Sequence, residues 1–233
     1  MKLIKYGLLA FISITLWACS SIPPLPEVGG YKMFTIPSTN YEAGYLVAIW
    51  SDPPKEDIIF RPSLQDDVLI ESKSVNLSQQ ATSATKAEIE AKLEQVAEGK
   101  LEAGFTKALK FQYKNTRVVD AEHTKLYRDL VNSLQASPTE KDFIKKLTQR
   151  RFFGIMPPRA QLDVLTGILI ADVEFEIDRG HGVGANVSTN ELIDLLGADF
   201  QKAGDSNSKV VGKNVVIGYR ADPNMVSILK EQF

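Results

Sequence analysis

The chain holds little of the equipment on which most side-chain chemistry depends. In 233 residues there is one cysteine, Cys19, and there are two histidines, His123 and His181. A single thiol excludes an internal disulfide, and two imidazoles exclude a multi-histidine metal site. Charge of one sign is also lacking: 27 basic side chains face 29 acidic ones, a net of −2. No basic excess therefore marks a nucleic-acid binder. Long apolar runs are missing too. The run from Tyr6 to Ala18 is well short of the roughly 20 residues a membrane-crossing helix needs. No G-x-S-x-G occurs and no G-K-[ST] follows a glycine loop, so neither a serine nucleophile elbow nor a P-loop is present.

What is there begins at the N-terminus. Lys2 and Lys5 precede the apolar run, which ends in Leu16-Trp17-Ala18-Cys19. A charged start, a short apolar core and a small residue at its end describe an export signal. Leu16, Ala18 and Cys19 resemble the lipobox of bacterial lipoprotein precursors, with Trp17 standing where that family usually has a small residue. The resemblance covers only about the first twenty residues. It implies diacylglycerol on the Cys19 sulfur, cleavage before Cys19 and acylation of the new amino group. Several acyl chains, at about 0.8 kcal/mol per buried methylene, hold a protein firmly on a bilayer where one chain would not. Ser20 and Ser21 follow, with no Asp at the second position. In enteric-type bacteria that resembles the pattern sent to the outer membrane, facing the periplasm. With Cys19 acylated, no free thiol remains for catalysis or metal binding.

Three segments follow from this: a leader over 1–18, a lipidated tether over 19–40 and a folded body over 41–233. Pro23, Pro24, Pro26, Gly29, Gly30 and Pro37 give the tether its turn-rich composition. Tyr31, Met33 and Phe34 are the side chains through which it would dock on the body. Gly44–Trp50 is short, apolar and β-rich, and Ser51-Asp52-Pro53-Pro54 closes it as a turn. Asp57–Pro62 and Val68–Leu77 are further strands, and the polar stretch 79–85 reads as loop. Thr85 and Glu88 have capping-box spacing, which predicts a helix over 86–98 ending near Gly99.

Residues 107–117 alternate, with Leu109, Phe111 and Tyr113 on one side and Lys110, Gln112 and Lys114 on the other. Asp120 is positioned to cap a helix bearing Leu126, Leu130 and Leu134. Ser137-Pro138-Thr139-Glu140 starts another helix, with Phe143, Ile144 and Leu147 facing inward. Leu162–Ile177 is the central strand, bent at Gly167. A helix over 189–202, a strand over 210–219 and a short helix opened by Asp222-Pro223 complete the chain. The fold class is α+β: a single mixed, mainly antiparallel sheet flanked by amphipathic helices.

Three stretches carry candidate chemistry. Asp172, Glu174 and Glu176, with Asp178, share one face of a strand at a spacing that overlaps the separation of paired glycosidase carboxylates. Oxygen ligands also suit a hard cation such as Ca²⁺. The simpler reading is a solvent-facing row neutralised by Lys110 and Lys114, if strands 107–117 and 168–178 pair. Gly180, Gly182 and Gly184, with His181 among them, lie between a strand and a helix, where backbone N–H groups cradle anions. Lys145, Lys146, Arg150 and Arg151 precede Phe152 and Phe153, a combination that suits lipid phosphates or a core rim. No catalytic site and no cofactor beyond the lipid on Cys19 is expected. The expected partners are the membrane and other envelope proteins, with no nucleic acid. The role is then a non-enzymatic scaffold or accessory subunit; the alternatives are an envelope glycan or peptide hydrolase using Glu174, Glu176 and His181, or a lipid-binding carrier.

Overall fold

A computed structural model of the chain describes residues 26–51, 54–73, 75–97, 105–148, 150–151, 156–158, 160–178 and 187–231. Cys19 and the rest of the leader, the loop bearing Gly180, His181, Gly182 and Gly184, and Phe152 and Phe153 lie outside the described residues.

The organising element is β9 (Ala160–Ile177), which spans 18 residues. It is preceded by β1 (Glu27–Val28), β2 (Tyr31–Ser38), β3 (Leu46–Ser51), β4 (Pro54–Phe60) and β5 (Leu69–Lys73). Next come α1 (Val75–Ala97), β6 (Leu109–Ala121), α2 (His123–Gln135) and α3 (Pro138–Thr148). A small pair, β7 (Arg150–Arg151) and β8 (Met156–Pro158), leads into β9. After it come α4 (Thr189–Leu196), β10 (Phe200–Lys202), β11 (Lys209–Ala221) and α5 (Pro223–Lys230).

Nine of these strands form one sheet, along the path β1-β2-β11-β9-β3-β4, with β6 also on β9, β5 on β6 and β10 on β11. Every ladder among the described residues is antiparallel. The α+β class expected from the alternation of strand and helix signals is what the structure shows, and β9 is its central strand.

β9 contributes to two cores because it is apolar on both faces in turn. Its residues Leu162, Val164, Ile168 and Ile170 join a core with Leu126, Leu130 and Leu134 of α2, Ile144 and Leu147 of α3, and Met225 and Leu229 of α5. Leu169, Ala171, Val173, Phe175 and Ile177 join a second core, with Ile89 and Leu93 of α1 and Leu192 and Leu196 of α4. Successive strand residues point to opposite faces. The two helical groups therefore lie on opposite sides of β9, displaced along its length. Among the described residues, that leaves the even-numbered face of 172–178 without a helix over it.

Local sequence explains most element ends, and several differ from expectation. The helix predicted over 86–98 begins at Val75, so the stretch read as loop, 79–85, is helical. Its buried positions Ala81, Thr85, Ile89, Leu93 and Ala97 recur every four residues, a stripe hidden by the small and polar types at 81 and 85. Thr85 is not a cap. It is 1% exposed, and its hydroxyl donates to the Ala81 carbonyl and the Tyr113 hydroxyl. The strand expected over 68–77 accordingly ends at Lys73.

Asp120 does not cap α2. Glu122 does, accepting from the Thr124 and Lys125 N–H groups, because β6 continues to Ala121. Phe143 faces solvent and not the core. The helix expected over 189–202 stops at Leu196, where Gly197 takes a φ of 100°, and Phe200 starts a new strand. The tether read over 19–40 is cut short by the sheet: Tyr31, Met33 and Phe34 are buried in β2, which pairs with β11.

Gly167, where a bend was expected, clears space beside a register shift in the ladder to β11. It sits between Asp120 of β6 and Arg220 of β11 in the ladder. The Arg220 guanidinium reaches across it to Asp120 at 2.8 Å, and the Tyr31 hydroxyl donates to the same carboxylate at 2.6 Å. A Cβ on Gly167 would run into the Asp120 carboxylate. Burial, then the bond to Asp120, pushes the Tyr31 hydroxyl far above its ordinary pKa.

Candidate site: the charged face of the central strand

The strand pairing that the carboxylate row required is present. β6 and β11 flank β9, with Lys110 opposite Glu176, Gln112 opposite Glu174 and Lys114 opposite Asp172 on one side. On the other side Lys209 stands opposite Glu176 and Val211 opposite Glu174. The side chains lean along the strands, so the ion pairs run diagonally. Lys114 reaches Glu174 at 2.8 Å and Lys110 reaches Asp178 at 2.8 Å. Lys209 bridges Glu174 at 3.3 Å and Glu176 at 3.4 Å, while Lys213 approaches Asp172 at 3.3 Å. Four lysines from two strands thus flank three carboxylates of β9 and Asp178 just past its end.

Two bulges build this face. Asn115 in β6 and Asn214 in β11 both adopt a φ of 52°, and both ladders to β9 shift register there. Asn pays least among non-glycine residues for that left-handed backbone. Each follows a lysine, in Lys114-Asn115 and Lys213-Asn214. The Asn115 side-chain amide donates to one oxygen of Asp172 at 2.7 Å, and the Asn214 backbone N–H donates to the other at 3.1 Å. One carboxylate thereby holds the extra residue of both neighbouring strands.

The bulges also reverse which residues face inward. In β6 Leu109 and Tyr113 pack on α1 before the bulge, and Val118 takes that side after it. In β11 Val210 precedes the bulge, and Val215 and Ile217 follow it, in the same core. Past the bulges the lysine-bearing face continues as Val119 of β6 and Val216 of β11, which pack in the other core.

The electrostatics follow. Lys114's hydrogen bond holds the Glu174 carboxyl below the ordinary range, partial burial opposes it, and Lys209 reinforces it. Burial would raise Asp172, but the bonds from Asn115, Asn214 and Lys213 outweigh it and leave it lowered. Glu174 and Glu176 pull the Lys209 ammonium upward. A general acid working near neutral pH needs its pKa raised, and Glu174 is shifted the other way. A shallow dent of about 180 Å³ lies over Lys110, Phe111, Gln112, Glu174 and Glu176. Among the described residues no group of three or more His, Cys, Asp or Glu side chains has metal-holding geometry.

Sequence reasoning found the row and its lysines on β6, but missed Lys209, Lys213 and the two asparagines. The repeated Lys-Asn dipeptide, 99 positions apart and each time inside a β-rich run, was the available signal. His123 lies away from this face, with its Nδ1 3.6 Å from the Asp222 carboxylate that caps α5. No protein-family model and no curated protein matches this chain.

Proposed function

We propose that this protein is a lipid-anchored component of the bacterial cell envelope, held at the outer membrane and facing the periplasm, where it serves as a non-enzymatic scaffold or accessory subunit. The observation that carries this reading is the N-terminal sequence: Lys2 and Lys5, a short apolar run, then Leu16-Trp17-Ala18-Cys19. Tyr31, buried in the body, is twelve residues beyond Cys19. Even fully extended, that length of chain spans at most about 43 Å, which holds the body near the bilayer surface. The non-enzymatic part is supported by the state of the carboxylate row, whose charges are matched by lysines.

The test combines metabolic labelling with a clickable fatty acid and membrane fractionation of wild type and Cys19→Ser. Wild type is expected to take the label and sediment with the outer membrane, and Cys19→Ser to lose both properties. A Cys19→Ser protein that stays labelled, or stays equally membrane-bound, overturns the anchor. Crosslinking in intact cells tests the role. Recovery of no envelope component, with turnover of wall fragments by the pure protein, would overturn the scaffold reading in favour of a hydrolase.

A further inference from the structure

A helix packed on a sheet ordinarily turns its large apolar side chains inward. α3 sends Ile144 and Leu147 into the core, yet its one aromatic residue, Phe143, is 48% exposed. Phe143 lines a dent of about 420 Å³ together with Pro138, Thr139, Asp142 and Lys146. That volume falls within the range of small-ligand sites.

Two opposite charges border this dent. Asp142 and Lys146 are exposed and stand four residues apart, the spacing at which such charges on a helix ordinarily pair. Among the described residues, neither has an ion-pair or hydrogen-bond partner. An ammonium, a carboxylate and an aromatic ring thus surround one dent with neither charge engaged.

A zwitterionic phospholipid headgroup matches all three. Its phosphate suits Lys146, its ammonium suits Asp142, and its glycerol and first methylenes suit the ring. A free anion would use Lys146 alone, would be repelled by Asp142 and would leave Phe143 in water. The surroundings favour a bilayer as well. Residues 138–151 hold five basic and two acidic side chains in a chain of net charge −2, a local excess that an anionic surface attracts. The proposed anchor keeps headgroups within about 43 Å of Tyr31, so they meet the body at high effective concentration.

We propose that the dent beside Phe143 is a headgroup site for a zwitterionic aminophospholipid, with Lys146 on the phosphate, Asp142 on the ammonium and the ring at the headgroup–acyl boundary. This rests on the lipid-anchor reading and adds an orientation to it: the body lies with α3 against the bilayer. One ring and two charges bind too weakly to replace the acyl chains, so Cys19→Ser still leaves the membrane.

The test uses the acylated chain carrying Phe143→Trp, reconstituted in vesicles of phosphatidylethanolamine and phosphatidylglycerol with plain or brominated acyl chains. With residues 1–18 removed, Trp50 is the other tryptophan, and wild type gives its background. Beyond that background, Phe143→Trp is expected to lose about half its emission in brominated vesicles, because a side chain at that boundary lies about 5–10 Å deep. Adding Lys146→Glu should abolish the extra quenching, whereas Lys141→Glu, the same charge change outside the dent, should leave it. Asp142→Lys separates headgroup recognition from general attraction to an anionic surface. Loss of the ammonium's partner lowers the quenching, while a merely basic surface would be quenched more. All variants are expected to keep the wild-type circular dichroism spectrum. Quenching that survives Lys146→Glu, or that rises with Asp142→Lys, overturns the proposal. A chain that floats with the vesicles but shows no extra quenching overturns the headgroup site alone; one that does not float overturns the anchor and this site together.

Discussion

At the scale of residues, Asp172 does the work of two turns. Its two oxygens accept from Asn115 and Asn214, and these bonds hold the left-handed backbone at both bulges. Hydrogen bonds to a charged group contribute about 1.5–3 kcal/mol, and Asp172→Ala removes both at once. The expected loss is about 2–4 kcal/mol at pH 7 on that basis, read as a shift in the urea midpoint. The pH dependence has a definite sign. Asp172 and Glu174 have folded pKa values below their ordinary ones. Their contribution is therefore complete above about pH 5, where the unfolded chain is also ionised. It is lost as pH falls through the lowered folded values. The gap between wild type and Asp172→Ala should close in acid; a gap that persists at pH 2 would show that the carboxylate's charge is not what holds the bulges.

At the scale of elements, α1 separates composition from position. Gln79 to Thr85 has no large apolar side chain, and by itself it looks like a connection. It is helical because Ala81 and Thr85 extend the stripe of Ile89, Leu93 and Ala97 against the sheet, where small side chains allow close approach. Tertiary packing, more than intrinsic propensity, decides such a segment. Gln80 lies exposed on this stretch. Gln80→Pro would be harmless in a loop, but inside a helix it should cost about 3 kcal/mol and reduce helical circular dichroism. The same competition explains Asp120. By type and position it was a good cap, yet a glycine opposite it on β9 let it pair across the sheet with Arg220, and the cap passed to Glu122.

At the scale of the molecule, one strand is shared by two cores. Leu130 belongs to the core beneath α2, α3 and α5, and Phe175 to the core beneath α1 and α4; both are fully buried. Because β9 supplies residues to each, the two cores are expected to unfold together. Leu130→Ala should cost about 2–5 kcal/mol and Phe175→Ala about 3–5 kcal/mol. Each variant should unfold in one transition, coincident by tryptophan fluorescence and far-ultraviolet dichroism. Two separated transitions would mean that the cores are independent.

The linear order of residues was enough for much of what depends on near neighbours, though not for the caps read at Thr85 and Asp120. Alternation along 109–114 and 172–178, the Pro-Glu start of α3, the Asp222-Pro223 start of α5 and the α+β class all depend on spacings of one to four residues. The proposed leader and the proposed lipid on Cys19 rest on the sequence alone. Only the fold decided which lysines meet which carboxylates, that two asparagines 99 positions apart share one aspartate, and that Phe143 lies outside while Tyr31 lies within. The physical reason is range. Capping, turns and periodicity act within a turn or two of chain, whereas ion pairing, bulge register and burial depend on which distant strands are brought within about 5 Å of each other.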